Sequence, residues 1–341
     1  MIAWVWKTKP DFEKCDITPN MKNKNSPMKN DAVVILGAGA MGAFFAYKLK
    51  AAPNVTPSFI ASGERRKRLM ADGLVVNGEK VMLPVLDPDN AGDTADLIIV
   101  ALKHHHLESA LPMLDSIVGP DTVMMSVMNG LDSEQIIASR FGMEKMLLAV
   151  SVGIDAVRTN NRVVFSKPGV HYFGRENNRE LSEAVKRVQS IFERAGIDHK
   201  IPADMKRMLW WKFMINVGMN PSSAVMKAPY GVFQRSEEAQ WLMKALMNEV
   251  IMLARASEVD LSQADLDDWI AVLGTLSPDG KTSMLQDMEA GVKTEIEMFC
   301  EKVVYLGQQL GVFTPVNRAV LNIVRVLERD ARATVQEAAA H

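Results

Sequence analysis

The chain has 341 residues, which is too long for one compact core and about right for two domains. Hydrophobic residues make up 48% of it and charged residues 23%, so a core of ordinary size can form. The formal net charge is −2 and the basic residues are spread along the chain, which excludes the basic stripe of a nucleic-acid-binding protein and gives no reason to expect membrane docking.

Residues 1–30 are rich in Lys, Asn, Pro and Asp and show neither a helical nor a strand period, so we predict a disordered extension there. A partner-binding arm carrying Trp4 and Trp6 is the alternative. The start of the chain lacks the basic beginning and long apolar middle of a signal peptide, and no apolar run approaches the roughly 18 residues that span a bilayer. Cys15 and Cys300 lie far apart, which argues against a disulfide framework. We therefore predict a cytoplasmic protein.

From Asp31 onward, short apolar segments alternate with helical ones, which predicts a parallel, doubly wound sheet. The apolar, β-branched runs are typical of strands covered by helices on both faces. A hairpin is predicted over residues 73–85, because Asn77-Gly78 suits the two positive-φ positions of a tight turn. Residues 163–173 are predicted to form a second such excursion. The predicted strands are residues 33–36, 58–61, 97–102, 123–127 and 147–152.

The second half of the chain contains only helical patterns. An amphipathic helix is predicted over residues 181–195, and Gly196 ends it. After Pro202 the strand signals stop, so we place a domain boundary near residue 202. The predicted helices beyond it are residues 204–228, 235–258, 264–275, 284–310 and 315–328.

A glycine-rich loop joins the first strand to the first helix. Its pattern Gly37-x-Gly39-x-x-Gly42 is specific because a strand precedes it and a helix opens within it. Gly37 allows the tight turn, Gly39 lets the backbone approach a pyrophosphate, and Gly42 lets the helix pack against the strand. The helix N-terminus then offers free N–H groups to phosphates. The residues predicted to hold a dinucleotide here are Gly37, Ala38, Gly39, Ala40, Met41 and Gly42.

The end of the second strand decides between NAD and NADP. NAD enzymes usually place an acidic residue there for the ribose 2′-hydroxyl, and this chain has Ser62 instead. Ser62 can hydrogen-bond a phosphate, and Arg65 or Arg66 can pair with it, which favours NADP. A solvated helix start is the alternative for the two arginines, and Glu64 keeps NAD open.

The segment from Trp210 to Pro221 contains the most informative polar pattern. Lys212, Asn216 and Asn220 are spaced four apart and share one helical face among apolar neighbours. A lysine with two carboxamides suits a substrate that bears a carboxylate and a carbonyl, and partial burial would equip the lysine as a general acid. A lysine reaching to solvent beside two structural amides is the other interpretation, and the pattern leaves both open.

Three further residues are candidates for the site. Asn129-Gly130 follows an apolar strand, and the carboxyl ends of such strands line the ligand crevice of a doubly wound sheet, although Asn before Gly is also a common turn. Ser283 is predicted to cap the long helix that follows it. Glu295 would lie about three turns further along that helix, where a solvated position is the alternative.

These motifs, in this order, resemble the ketopantoate reductase family over residues 31–328. The motifs are the glycine loop, Leu102-Lys103, Met128-Asn129-Gly130, Trp211-Lys212 with Asn216 and Asn220-Pro221, Ser283 to Asp287, and Thr294-Glu295-Ile296. The resemblance implies a Rossmann-type α/β domain followed by an all-helical domain, with the active site in the cleft between them. The implied organisation is a disordered extension (1–30), an NADP-binding Rossmann domain (31–202), a helical substrate domain (203–330) and a C-terminal tail (331–341).

The resemblance also implies a reaction and a set of roles. The reaction is NADPH-dependent reduction of 2-dehydropantoate to pantoate, a step of pantothenate and coenzyme A biosynthesis. Lys212 would protonate the carbonyl oxygen, and Glu295 would bind the substrate's distal hydroxyl. Asn216, Asn220 and Ser283 would hold hydroxyl and carboxylate groups. Asn129 would lie between cofactor and substrate, which places it and Glu295 among the cofactor contacts, and Lys103 would contact the cofactor.

The chain departs from the family pattern at two positions. The family often has an arginine where this chain has Ser62, so the NADP preference depends here on Arg65 or Arg66. Lys293 stands where the family signature tends to carry arginine, which keeps a positive charge nearby. A paralogous NAD(P)-dependent reductase of another small 2-keto acid and a non-catalytic NADP-binding sensor are the alternative functions.

Metal and partner predictions complete the interpretation. Consecutive residues such as His104-His105-His106 do not converge on one ion, so no metal is predicted. Hydride transfer needs only alignment and a proton donor. The expected partner is a small 2-keto acid, with neither nucleic acid nor membrane. Most of the 23 methionines fall at apolar helical positions, which core packing explains. A subunit interface on part of the helical surface is the alternative, and we predict a homodimer.

Overall fold

The computed structural model describes the backbone of residues 30–340 and the side chains of residues 30–330. The extension predicted for residues 1–30 lies outside the described residues, apart from Asn30. The described chain divides into two units. The sheet unit comprises the chain up to Met128 together with Asp132–Met208, and the helical unit comprises Asn129–Leu131 and the chain from Leu209 onward.

The sheet unit contains all the strands of the described chain. In chain order they are β1 (Asp31–Leu36), β2 (Val55–Ile60), β3 (Leu74–Val76), β4 (Glu79–Val81), β5 (Val85–Leu86), β6 (Leu97–Val100), β7 (Val123–Ser126), β8 (Met146–Ile154), β9 (Val157–Thr159), β10 (Arg162–Val164), β11 (Pro168–Gly174) and β12 (His199–Lys200). Eight of them form the main sheet, in the order β12-β11-β8-β7-β6-β1-β2-β5. All its neighbours are parallel except β8 and β11. The predicted fold class is thereby confirmed.

Helices cover both faces of the main sheet. They include α1 (Ala40–Leu49), α2 (Gly63–Asp72), α3 (Leu107–Ala110), α4 (Ser133–Phe141) and α5 (Glu183–Arg194). Successive residues of β1 point to opposite faces: Val33 and Ile35 join the core that contains α1 and α5, while Val34 and Leu36 join the core that contains α3 and α4. This two-sided burial explains why the strand sequences are continuous apolar runs.

A second, four-stranded sheet has the order β4-β3-β10-β9. The predicted hairpin is confirmed: β3 and β4 are antiparallel, and Asn77 and Gly78 have φ values of 49° and 84°. The second excursion lies earlier than predicted. Strands β9 and β10 form it, and β10 pairs with β3. Residues 168–174 instead pair with β8 as β11, because β8 extends to Ile154 and offers a full edge.

The helical unit contains α6 (Met205–Met226), α7 (Tyr230–Arg235), α8 (Glu237–Ala256), α9 (Gln263–Leu273), α10 (Ser283–Glu289), α11 (Cys300–Leu310) and α12 (Pro315–Ala340), although α6 begins four residues before the unit does. The prediction of one helix over residues 284–310 is wrong. Gly291 takes a positive φ of 64°, and the N–H of Val292 bonds to the carbonyl of Asp287, which closes α10. Helix α12 also runs past the predicted end at residue 328.

Two contacts fix the long helices of the helical unit. A Cβ on Gly218 of α6 would collide with Met247 of α8, so glycine permits this close approach. The buried Glu249 of α8 accepts hydrogen bonds from the N–H groups of Val316 and Asn317, at 2.8 and 3.0 Å. A carboxylate at these unsatisfied groups stabilises the start of α12. Within the described chain, no helix is both long and apolar enough to cross a bilayer.

Candidate active site

Helix α6 places Lys212, Asn216 and Asn220 on one face, one turn apart. The flanking Trp211, Phe213, Ile215 and Met219 are buried, which holds the helix in place and gives the stripe apolar neighbours. Asn216 and Asn220 are 5% and 8% exposed. Burial of Lys212, without a compensating hydrogen bond or ion pair from the described residues, lowers the pKa of its ammonium to about 8.

Asn129 connects α6 to the segment before α11. Asn216 Nδ2 donates to Asn129 Oδ1 at 3.2 Å, and Asn129 Nδ2 donates to Glu295 Oε2 at 3.2 Å. A carboxylate only accepts, so Glu295 fixes the orientation of the Asn129 amide, which in turn fixes that of Asn216. The chain of amides therefore leaves Asn216 Oδ1 as an acceptor for a ligand.

The backbone after β7 explains how Asn129 reaches this position. Gly130 has a φ of 95°, and a Cβ there would approach Met298 Cε to 2.8 Å. The positive φ favours glycine, whereas the Met298 methyl group could move aside, so the Asn-Gly pair bends the chain through a backbone conformation suited to glycine. Asn129 is nevertheless more than a turn former, because both ends of its amide are hydrogen-bonded to predicted site residues.

Glu295 does not lie on a helix, contrary to the prediction. It precedes a single 3-10 turn, Ile296–Met298, in the segment between α10 and α11. Thr294 anchors this segment, because its N–H and its hydroxyl both donate to Glu328 Oε1, at 2.9 and 2.6 Å. Glu328 gave no signal in the sequence, since it is 33 residues away from Glu295 on α12.

Ser283 is the first residue of α10 and is exposed. The prediction that it caps the helix is wrong: Thr282 is the N-cap, and its hydroxyl accepts from the N–H of Leu285 at 3.2 Å. The Ser283 hydroxyl is therefore not needed by the fold. Among residues 30–330, no hydrogen bond joins Ser283 to the Lys212 stripe or to Glu295.

In the glycine loop of the sheet unit, two of the three glycines are required by the fold and the third leaves space for a ligand. A Cβ on Gly37 would overlap the carbonyl oxygen of Ala101, and one on Gly42 would overlap that of Gly37. At Gly39 the nearest atom would be 3.8 Å away, an ordinary contact. The fold therefore requires Gly37 and Gly42, whereas Gly39 leaves open space beside the first turn of α1, where a dinucleotide phosphate fits.

Replacing Gly39 by alanine should weaken dinucleotide binding and leave the melting temperature nearly unchanged. Replacing Gly42 by alanine should lower the melting temperature by several degrees, because the added methyl group forces α1 away from β1. Calorimetric titration with NADPH and thermal unfolding of both variants measure the two effects. Equal destabilisation by the two substitutions would contradict this division of roles.

Among the residues that follow β2, some pair with a neighbouring side chain and one lines a pocket. Ser62 is exposed at the N-cap of α2, and its hydroxyl lies 3.7 Å from Met113 Sδ. Arg66 pairs with Asp87 at 3.6 Å, and Glu64 accepts from Lys67 at 2.6 Å. Arg65 instead lines a pocket beside the glycine loop. The structure thus distinguishes two arginines that the sequence left equivalent.

Lys103 lies three residues after the end of β6 and directly precedes the 3-10 turn His104–His106. It is half-buried at the carboxyl edge of the main sheet, the edge at which doubly wound proteins bind their ligands. The role predicted for it as a cofactor contact stays a prediction. Among residues 30–330, no group of three or more His, Cys, Asp or Glu side chains could hold a metal ion.

Comparison with known proteins identifies the family. Residues 33–178 match the family model described as "Ketopantoate reductase PanE/ApbA", and residues 204–328 match the model of its C-terminal part. The chain belongs to the ketopantoate reductase family. It is therefore an oxidoreductase, and the resemblance seen in the sequence is confirmed.

Curated relatives of the family match along nearly their whole length. The 2-dehydropantoate 2-reductase of Streptococcus pyogenes serotype M3 is 25% identical over 300 residues, covering 87% of this chain and 97% of the relative. That of Archaeoglobus fulgidus is 26% identical over 303 residues, covering 88% and 99%. That of Mesorhizobium japonicum is 28% identical over 322 residues, covering 86% and 97%.

Solved structures share the fold, each covering 88% of this chain and 99% of the other. D-mandelate dehydrogenase, in a complex with NADH and anilino(oxo)acetate, superposes with a TM-score of 0.79 at 21% identity. A PanE/ApbA family ketopantoate reductase from Ralstonia eutropha JMP134 gives 0.77 at 24%. A dimeric ketopantoate reductase from Staphylococcus aureus gives 0.72 at 18%.

Proposed function

We propose that this member of the family reduces 2-dehydropantoate to pantoate with NADPH, a step toward coenzyme A. The observation that carries the proposal is the set of groups in the helical unit: a lysine whose ammonium has a pKa of about 8, and the hydrogen-bonded chain Asn216–Asn129–Glu295. The curated relatives bear the name of this activity and match over almost their full length.

Lys212 acts as the general acid. Reduction of a ketone places negative charge on the carbonyl oxygen, and a proton donor with a pKa near the working pH neutralises it most efficiently. The Lys212 ammonium meets this requirement, since burial has lowered its pKa to about 8. Asn216 and Asn220, one and two turns further along α6, orient the carboxylate and carbonyl of the substrate through their amides.

Glu295 selects the substrate. Its carboxylate accepts a hydrogen bond from Asn129 Nδ2, and each carboxylate oxygen accepts more than one hydrogen bond. The substrate's distal hydroxyl is a donor that suits such an acceptor. The exposed hydroxyl of Ser283, free of any capping role, is a further donor and acceptor for the substrate.

The residues of the sheet unit fit a nicotinamide dinucleotide. The open space at Gly39 and the uncapped first turn of α1 suit its pyrophosphate, and the arginine-lined pocket beside Ala38 suits a further phosphate. When bound, the reduced nicotinamide supplies a hydride to the ketone. The preference for NADP, like the predicted homodimer and cytoplasmic location, is part of the proposal.

The test of the proposal is the oxidation of NADPH, followed at 340 nm, with ketopantoate and with 2-ketoisovalerate, which lacks the distal hydroxyl. We expect kcat/KM to favour ketopantoate by at least ~10-fold, because loss of a hydrogen bond to a charged group costs about 1.5–3 kcal/mol. Equal turnover of both compounds would indicate that the natural substrate is another 2-keto acid. No turnover with any 2-keto acid would contradict the reductase activity itself.

A further inference from the structure

A pocket of about 530 Å³ in the sheet unit brings three arginines together. Arg65 and Arg68 come from α2, and Arg158 comes from β9 of the small antiparallel sheet. Ala38 of the glycine loop forms another part of the wall. Asp72 is the one carboxylate that lines the pocket, which leaves a net charge of two positive among its ionisable side chains.

The Arg158 guanidinium is held in place by backbone carbonyls. Its Nη1 donates to Ala38 O at 2.6 Å, and its Nε donates to Asn160 O at 2.7 Å. An arginine has five N–H donors in a fixed planar fork, so three remain after these two bonds. The side chain is therefore ordered against the glycine loop and still able to bind an anion.

The three cations are close together, and the single Asp72 carboxylate in the pocket wall balances only one of them. Partial burial, followed by the charges of Arg65 and Arg68, lowers the pKa of Arg158, and partial burial followed by Arg68 lowers that of Arg65. Among residues 30–330, no carboxylate lies within ion-pair distance of these three guanidinium groups. Arg66, the neighbour on α2, differs because Asp87 neutralises it. A cluster of like charges with free donors is a site for a phosphate.

The position of the cluster indicates which phosphate. Ala38 belongs to the loop that faces the dinucleotide, and Arg65 follows the end of β2, where doubly wound folds recognise the adenosine ribose. We propose that Arg158, together with Arg65 and Arg68, binds the 2′-phosphate of NADPH. The β9–β10 excursion then determines cofactor selectivity. This inference rests on the proposed use of a nicotinamide dinucleotide and adds the residue that distinguishes NADP from NAD.

The binding of cofactor fragments tests the inference without turnover. Calorimetric titrations with 2′-phospho-ADP-ribose, ADP-ribose and inorganic phosphate are compared for the native protein, Arg158→Gln and Arg162→Gln. Arg162 is the matched control, because it carries the same charge on the adjacent strand β10 and does not line the pocket. Arg158→Lys keeps the positive charge but loses the planar set of N–H donors of the guanidinium.

We expect the native protein to prefer 2′-phospho-ADP-ribose over ADP-ribose. Arg158→Gln should weaken the binding of 2′-phospho-ADP-ribose by at least ~10-fold, equivalent to about 1.4 kcal/mol, and leave ADP-ribose binding unchanged. Arg158→Lys should lie between Arg158→Gln and the native protein, and Arg162→Gln should match the native protein. Unchanged ADP-ribose binding also shows that the variant is folded.

Three outcomes would overturn the inference, and they differ in what else they affect. A native preference that survives in Arg158→Gln refutes the role of Arg158 and leaves NADP use intact. If the binding of both ligands were weakened equally, Arg158 would act by stabilising the glycine loop or by binding the pyrophosphate instead. No preference in the native protein refutes NADP selectivity itself, while reduction of the keto acid with NADH would preserve the rest of the proposed function.

Discussion

Replacing Lys212 by alanine should lower kcat for keto-acid reduction by about 10²–10⁴-fold, the usual contribution of a general acid. The binding of NADPH should remain nearly unchanged, because Lys212 belongs to the helical unit whereas the glycine loop and the arginine pocket belong to the sheet unit. Steady-state kinetics gives the first quantity and fluorescence titration of bound NADPH the second.

The matched control is Lys206→Ala, an exposed lysine at the start of the same helix. It removes the same charge and should retain the native kcat. If Lys212→Ala retained full kcat, the proton would have to come from another group. If it lost NADPH binding as well, Lys212 would be a binding residue and not only an acid.

The pH dependence of the native enzyme provides a second measure of the same group. With a pKa of about 8, the ammonium is about nine-tenths protonated at pH 7. Reduction needs the protonated form, so kcat/KM for reduction should fall about tenfold per pH unit above pH ~8. Oxidation of the alcohol needs the neutral amine, so its kcat/KM should rise through the same range. If kcat/KM for reduction did not change between pH 7 and 9, Lys212 would not be the general acid.

The sequence predicted those parts of the site that depend on local patterns. The stripe Lys212, Asn216 and Asn220 follows from a spacing of four on a helix, and the glycine loop follows from its strand-to-helix context. Both patterns lie within a dozen residues, where helix geometry alone determines which side chains share a face. The structure adds that the partial burial of Lys212 lowers the pKa of its ammonium, which no spacing could reveal.

The parts that the sequence missed depend on contacts between distant segments. Arg158 meets Ala38 across 120 residues, because a short hairpin departs from the main sheet after β8 and returns beside the glycine loop. Glu328 fixes Thr294 across 34 residues. Helix α10 also ends early, since Gly291 adopts a backbone conformation that reverses the chain. An apolar period that continued past this glycine concealed the break and so misplaced Glu295 on a helix.

The largest effect on substrate choice is expected from Glu295. Replacing it by alanine should raise KM for ketopantoate by roughly 30-fold, the equivalent of about 2 kcal/mol for a hydrogen bond to a charged group. The KM for 2-ketoisovalerate should change much less, because that substrate has no distal hydroxyl to lose. The measured quantity is the ratio of kcat/KM for the two substrates.

Glu297→Ala is the control for this experiment. Glu297 lies two residues further along, in the 3-10 turn that follows Glu295, and its carboxylate pairs with Lys293 at 2.8 Å. Its removal should leave the ratio at the native value. If Glu295→Ala lowered kcat/KM equally for both substrates, Glu295 would act through Asn129, whose amide it orients. The distal hydroxyl would then be recognised by another residue. Asn129→Ala distinguishes the two roles, because it removes the amide that Glu295 orients and keeps the Glu295 carboxylate itself.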